Sequence, residues 1–403
     1  TIWKDVTLPA SSVWTKITYI PFYKILFVLS GSEDKAAVSN DSGATWEVVN
    51  LPVTGSATAK YSSVACSGKN GSVCMTVDGV DNVMTIGLVA SADEPFTWST
   101  IRWELHTLSS AALSTSMMWD SVCWSPELRL FCSICDETNK AATSPDGITW
   151  TERTLPYTTK WECLCWSSEL QLFCAVARYT STGVLSASTS PDGITWTPRN
   201  LQSGILWQSI CWSPELHLFC VIGETKSATS PDGITWTVRS IPSGASWECL
   251  CWSPELRLFC VTAYNSNKTL TSPDGITWTQ RTLPSVADWQ SICWSPELRL
   301  FCAIDTDANK NKVAISSNGI TWTEGTLTNV NGWDSICWSP ELRLFCISAL
   351  RSNTVATSPN GITWTLMSLP GGNGGWRDIC WASELKRFCS ISGDGNAVIG
   401  IPE

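Results

Sequence analysis

"CWSPELRLFC" occupies residues 251–260, and the same ten letters stand at 293–302 and 337–346. A Cys-Trp pair opens related segments at Cys123, Cys165, Cys211 and Cys380, so the pair recurs at steps of 42, 46, 40, 42, 44 and 43 residues. A second motif alternates with it. TSPDGITWT stands at 143–151, 189–197, 229–237 and 271–279, with variants ISSNGITWT at 315–323 and TSPNGITWT at 357–365. Self-similarity at a fixed period of this length marks a repeat architecture, and one unit decides which.

Residues 119–156 read as four short strands. WDSVCWS (119–125) alternates and is rich in β-favouring residues. Pro126-Glu127-Leu128-Arg129 makes a turn whose last position requires a positive φ, a strained place for the Arg, Gln or His found there. LFCSI (130–134) returns as strand two and KAATS (140–144) is strand three. Pro145-Asp146-Gly147 forms a tight turn with Gly in the left-handed position, and ITWTERTL (148–155) is strand four. Four antiparallel strands per unit is the signature of a β-propeller blade. Pro and Gly punctuate the chain too often for helices, and no window holds a 3.6-residue period.

The N-terminal region fits the same template more loosely. YIPFYKILFVLS (19–30) matches WSPELRLFCSIC, SNDSGATW (39–46) matches the second motif, and WELHTL (103–108) matches WTERTL. YSSVACSGKNGSVCMTV (61–77) places a Gly-rich turn where the others have Pro-Glu-Leu. The last repeat lacks a fourth strand. TIWKDVTLP (1–9) has that strand's spacing and is expected to close the ring by pairing into the C-terminal blade, which removes both free edges. The expectation is one all-β propeller domain over 1–403 with nine blades, at 10–52, 57–108, 119–156, 161–201, 207–242, 247–284, 289–327, 333–370 and 376–403 plus 1–9. The alternative is eight blades with 53–118 as an irregular insertion.

In the hairpin, Trp124 should face Phe131 and Cys123 should face Cys132. Trp and Phe then share one face of a blade and the two Cys the other, a repeating large-to-small fit between neighbours. A cross-strand disulfide in each of seven blades is the competing reading. Thr18/Phe27 and Ala65/Cys74 at the equivalent places, and an odd total of 19 Cys, favour reduced thiols. With only two His, and CxC pairs at strand spacing without a second ligand pair, no metal site and no cofactor are expected.

Ser39-Asn40-Asp41-Ser42-Gly43-Ala44-Thr45-Trp46 resembles the Asp-box hairpin, S-x-D-x-G-x-T-W, of the BNR-repeat propellers, which include sialidases and sortilins. The other copies keep Gly, Thr and Trp but carry Pro where the box has Asp, as at Pro145. The tandem SPDGITW and CWSPEL units resemble arrays in viral and bacterial proteins. The resemblance covers nearly the whole chain and implies the fold; a sialidase would further need an Arg triad, a Tyr nucleophile with its Glu, and an Asp acid. Here Arg129, Arg257, Arg299 and Arg343 belong to the repeated turn, and Arg153, Arg199, Arg239 and Arg281 to the repeated fourth strand. The chain is therefore expected not to be an enzyme, with a glycosidase as the remote alternative.

A net charge of −10 with 15% charged residues argues against nucleic acid or an anionic membrane as partner. No apolar run is long enough to span a membrane, and the start of the sequence does not read as a signal peptide. Asn-x-Ser/Thr at Asn40, Asn70 and Asn267 would matter only in a secreted eukaryotic protein.

Inner strands line a propeller's channel. Their start offers a candidate ligand rim that varies from copy to copy: Asp120, Glu162, Gln208, Glu248, Gln290, Asp334 and Arg377. Beside each stands a Trp (119, 161, 207, 247, 289, 333, 376) that would stack on a ligand if exposed and wedge between blades if not. Loops after strand two vary in length and are candidate contacts for a partner. The expected function is a structural or interaction scaffold of a virion or cell surface that docks a capsid, tail or surface protein or a receptor. The alternative is a glycan-binding lectin.

Overall fold

The computed structural model describes residues 14–20, 25–30, 35–39, 47–50, 60–66, 73–78, 83–88, 97–108, 118–179, 185–307, 311–327, 332–370 and 375–402. Every regular element among them is a β-strand, and every strand pairing is antiparallel. The expected all-β propeller is what forms.

Seven inner strands contact one another in a closed cycle: Met118–Ser125, the second half of Thr151–Ser167, Trp207–Ser213, Ser246–Ser253, Trp289–Ser295, Trp333–Ser339 and Trp376–Ala382, the last packing on the first. Outward from each run three more strands. The first two blades share the long strand Thr151–Ser167. Thr151–Thr159 is the outer strand of the first blade, and Lys160–Ser167 is the inner strand of the second.

The ring closes elsewhere than expected. Asn396–Pro402, the last strand, pairs with Thr97–Thr107 in register from Asn396↔Thr107 to Pro402↔Ile101. WELHTL thus supplies the missing fourth strand of the final blade. Residues 1–9, assigned to that role from spacing, lie outside the described residues, and the edge they were to occupy is taken. The physical reason is proximity: the segment directly preceding blade one emerges beside the last blade, so it closes the shortest loop. Among the described residues the ring therefore closes with seven blades, where nine or eight were expected. The divergent N-terminal repeats still form blade-like sheets. One is Trp14–Ile20, Ile25–Ser30, Lys35–Ser39 and Glu47–Asn50; the other is Lys60–Cys66, Val73–Asp78 and Val83–Leu88, which pairs onto the opposite edge of Thr97–Thr107. Their first strands pack on each other, while the cycle of seven closes without them.

The repeat's residues build the seams between blades. Trp124 faces Phe131 and Cys123 faces Cys132, as the turn length dictates. The Trp–Phe ring centroids lie 4.5–4.7 Å apart in all seven blades. Cys132 then packs with Phe173 of the next blade, Cys302 with Phe345, and Cys389 of the last blade with Phe131 of the first. The cysteines from Cys123 to Cys389 are free, and burial pushes their thiols up, Cys163 and Cys260 to about 12, so those in the seams pack as small inert hydrophobes.

Pro-Glu-Leu has a second use. The indole Nε1 of Trp166 donates to Glu127 of the preceding blade at 2.6 Å, and Trp252–Glu215, Trp294–Glu255, Trp338–Glu297 and Trp381–Glu341 repeat that bond at the same distance. Trp212–Glu169 and, across the closure, Trp124–Glu384 complete the circle. Each turn therefore clamps the next blade through a charge-assisted hydrogen bond. The turn's last residue takes a positive φ of 48–52° at Arg129, Gln171, His217, Arg257, Arg299, Arg343 and Lys386, as its length demands. In the other hairpin Asp146 Oδ1 accepts from Ile148 N and Thr149 N, both at 2.8 Å, and Gly147 has φ 76°. A Cβ on Gly147 would come within 2.4 Å of Ile399 Cδ1 in the last blade.

Candidate functional site: the channel mouth

At the start of each inner strand the pairing slips by a residue. Trp207 pairs with Gly223 but Ser209 pairs with Ile222, leaving Gln208 unpaired as a β-bulge. The same slip leaves Asp120, Glu162, Gln290, Asp334 and Arg377 unpaired, and the ladder is interrupted across Glu248 and Cys249. A bulge re-aims side chains. Here it sends the Trp before it into the seam and lets both the bulged residue and its successor face the channel.

All seven candidate rim residues line one polar cavity of about 230 Å³. The structure adds residues that the sequence reading missed. Their successors Ser121, Cys163, Ser209, Cys249, Ser291, Ser335 and Asp378 form a second ring, and Asp136 and Arg178 reach in from the ends of strand two. Asp378 had a visible signal: the triplets read WDS, WEC, WQS, WEC, WQS, WDS and then WRD, so the last blade alone carries a carboxylate at the third place. Its Oδ2 accepts from Val122 N at 2.8 Å and Ser121 Oγ at 3.1 Å in blade one. Its Oδ1 accepts from Ser335 Oγ at 2.7 Å in blade six. It therefore ties three blades together beneath the mouth.

The stacking role offered for the Trp residues is corrected. Trp119, Trp161, Trp207, Trp247, Trp289 and Trp333 are 0% exposed and Trp376 1%, each wedged into a seam, so none offers a face to a ligand. Without those faces the lectin reading loses its stacking surface and keeps only the polar rim.

The mouth is acidic. Six carboxylates line it (Asp120, Asp136, Glu162, Glu248, Asp334, Asp378) against two cations, Arg178 and Arg377. Arg178 Nη1 sits 3.3 Å from Glu162 and Arg377 Nε 3.7 Å from Asp120. Among the described residues Glu248 and Asp334 have no ion-pair partner. Burial pushes Asp120, Glu162, Glu248 and Asp334 up to about 7, against the opposing pull of Arg377 on Asp120 and Asp334 and of Arg178 on Glu162 and Glu248. Burial also raises Asp378, opposed by its four hydrogen-bond donors. No group of three His, Cys, Asp or Glu among the described residues stands close enough to hold a metal ion.

These features define a seven-bladed propeller with a small acidic mouth on the face where the inner strands begin. Solved structures of the same fold include virginiamycin B lyase from Staphylococcus aureus, at TM-score 0.65 and 11% identity, covering 75% of this chain and 99% of that one. A catalytically inactive form of that lyase with quinupristin matches at TM-score 0.64 and 11% identity, over 74% and 99%. YCF48 bound to D1 peptide matches at TM-score 0.57 and 13% identity, over 75% and 97%. No family model matches the chain, and no curated protein does. The expectation that the chain is no enzyme is corrected: similar structures are lyases, so this fold carries catalysis and gives no ground for excluding it.

Proposed function

We propose that this chain is an interaction propeller that docks a partner protein on the face carrying the channel mouth. One observation carries the reading: the residues that differ from blade to blade converge on a single cavity, while the seam residues around them repeat. The ends of the second strands lie beside that cavity, since Trp289, next to the mouth residue Gln290, pairs with Asp305 at the end of strand two. A peptide bound to YCF48, a protein of similar fold, supports peptide capture as a use of such a disc. The setting we propose is a virion or cell surface, in keeping with the resemblance of the repeats to viral and bacterial arrays; fractionation of particles and envelopes from the source organism tests it.

The direct test is site-specific photo-crosslinking in that source. A photoreactive residue at Gln290, in the mouth, should join a defined partner protein, and one at Val238, in an outer strand, should not. Equal labelling from both positions, or none from Gln290, would overturn the reading.

A further inference from the structure

The mouth also says what chemistry it takes. Its charge is unbalanced: Arg178 and Arg377 come within ion-pair distance of Glu162 and Asp120, while Glu248, which accepts from Ser246 Oγ at 3.3 Å, and Asp334 feel those cations only from farther away. A second, independent observation points the same way. Gln208, 5% exposed and lining the cavity, has neither its Nε2 nor its Oε1 hydrogen-bonded. Leaving a buried amide without partners is costly, so an idle one facing a cavity is a site for an incoming group.

The occupant follows by elimination. The acids do not converge tightly enough to hold a bare metal ion. Separated carboxylates and an amide oxygen instead suit a cation that carries several N–H donors, each able to reach a different acceptor. A cavity of about 230 Å³ falls short of the roughly 300–1,000 Å³ of pockets for drug-sized ligands and has room for one extended side chain. Resting on the docking reading above, we infer that the mouth binds an organic ammonium or guanidinium group, supplied by a lysine or arginine side chain of the partner, between Glu248, Asp334 and the amide of Gln208.

Protonation is coupled to this site. With carboxylates titrating near neutrality, a bound cation favours their ionised forms and displaces protons. The charged groups bearing on the pair are Asp120, Asp136, Glu162, Asp378, Arg178 and Arg377 around the mouth, with Glu224 and Asp288 beside Glu248. Affinity should therefore rise from pH 6 to pH 8.

The test is calorimetric titration of the full chain with blocked pentapeptides Gly-Gly-X-Gly-Gly, where X is lysine, arginine or norleucine, and separately with spermidine. The lysine or arginine peptide should bind with proton release at pH 7, and the norleucine peptide should not. Asp334→Asn and Glu248→Gln should each weaken binding about tenfold, the size expected for one charge-assisted contact. Thr237→Ala, on the outer strand Thr237–Ser240, should change nothing. Spermidine binding without peptide binding would support the ammonium site and overturn the partner side chain as its source. Equal binding of norleucine, or no binding of any amine, would overturn the inference. If crosslinking from Gln290 still captured a partner, the docking reading would survive that loss.

Discussion

In each blade two neighbouring residues part ways. Trp289 turns into the seam and is wholly buried, whereas Gln290, one place later, is bulged into the channel. The seams repeat around the ring: a Trp wedge, a Trp–Phe pair on a Cys, and a Glu clamp. The mouth does not repeat; it runs Asp, Glu, Gln, Glu, Gln, Asp, Arg. Seam residues stabilise the disc, while mouth carboxylates near neutrality cost it stability. A buried charge kept without a partner is a mark of function rather than of folding.

The largest effect should come from breaking closure. A chain that starts at residue 97 keeps the strand Thr97–Thr107 that seals the last blade, and one that starts at 109 leaves Asn396–Pro402 as an open edge. Thermal melts and size-exclusion chromatography should show a folded monomeric ring for the first chain and an unstable or self-associating one for the second. Equal behaviour would place the closing strand elsewhere. Next in size, Trp289→Ala should cost about 3–5 kcal/mol in denaturant unfolding, the usual toll of emptying a buried aromatic site. A loss below 1 kcal/mol would mean that the wedge is not needed. Smaller again, Glu297→Gln should cost about 1 kcal/mol or less, because it replaces a charge-assisted bond to Trp338 at a partly exposed seam.

Much of this was legible beforehand, for identifiable reasons. The strand pattern, the positive-φ turn and the Cys123–Cys132 register follow from local chain geometry that repetition displays many times over. The rim positions were legible because variation stands out against near-identical copies. Closure was not. TIWKDVTLP and WELHTL carry the same strand pattern, and only the three-dimensional path of the chain decides between them. Nor were the bulge and the second ring legible, since alternation alone assigns Ser121 and Asp378 to a seam face. Asp136 and Arg178 were missed because they enter from a different strand. The Glu of CWSPEL was visible in every copy, yet its partner lies about forty residues away, in the next blade.

The division between seam and mouth has one decisive measurement, the unfolding free energy of Asp334→Asn against the native chain at pH 5 and pH 8. The folded-state value of about 7 lies above the ordinary carboxylate value, so the folded chain holds the extra proton. Its contribution is full below about pH 4 and is lost as pH rises through about 7. The substitution removes that penalty. The variant should be more stable than the native chain by on the order of 1–3 kcal/mol at pH 8, with the gap shrinking toward pH 5. A variant less stable at both pH values would make Asp334 a structural residue and contradict the division.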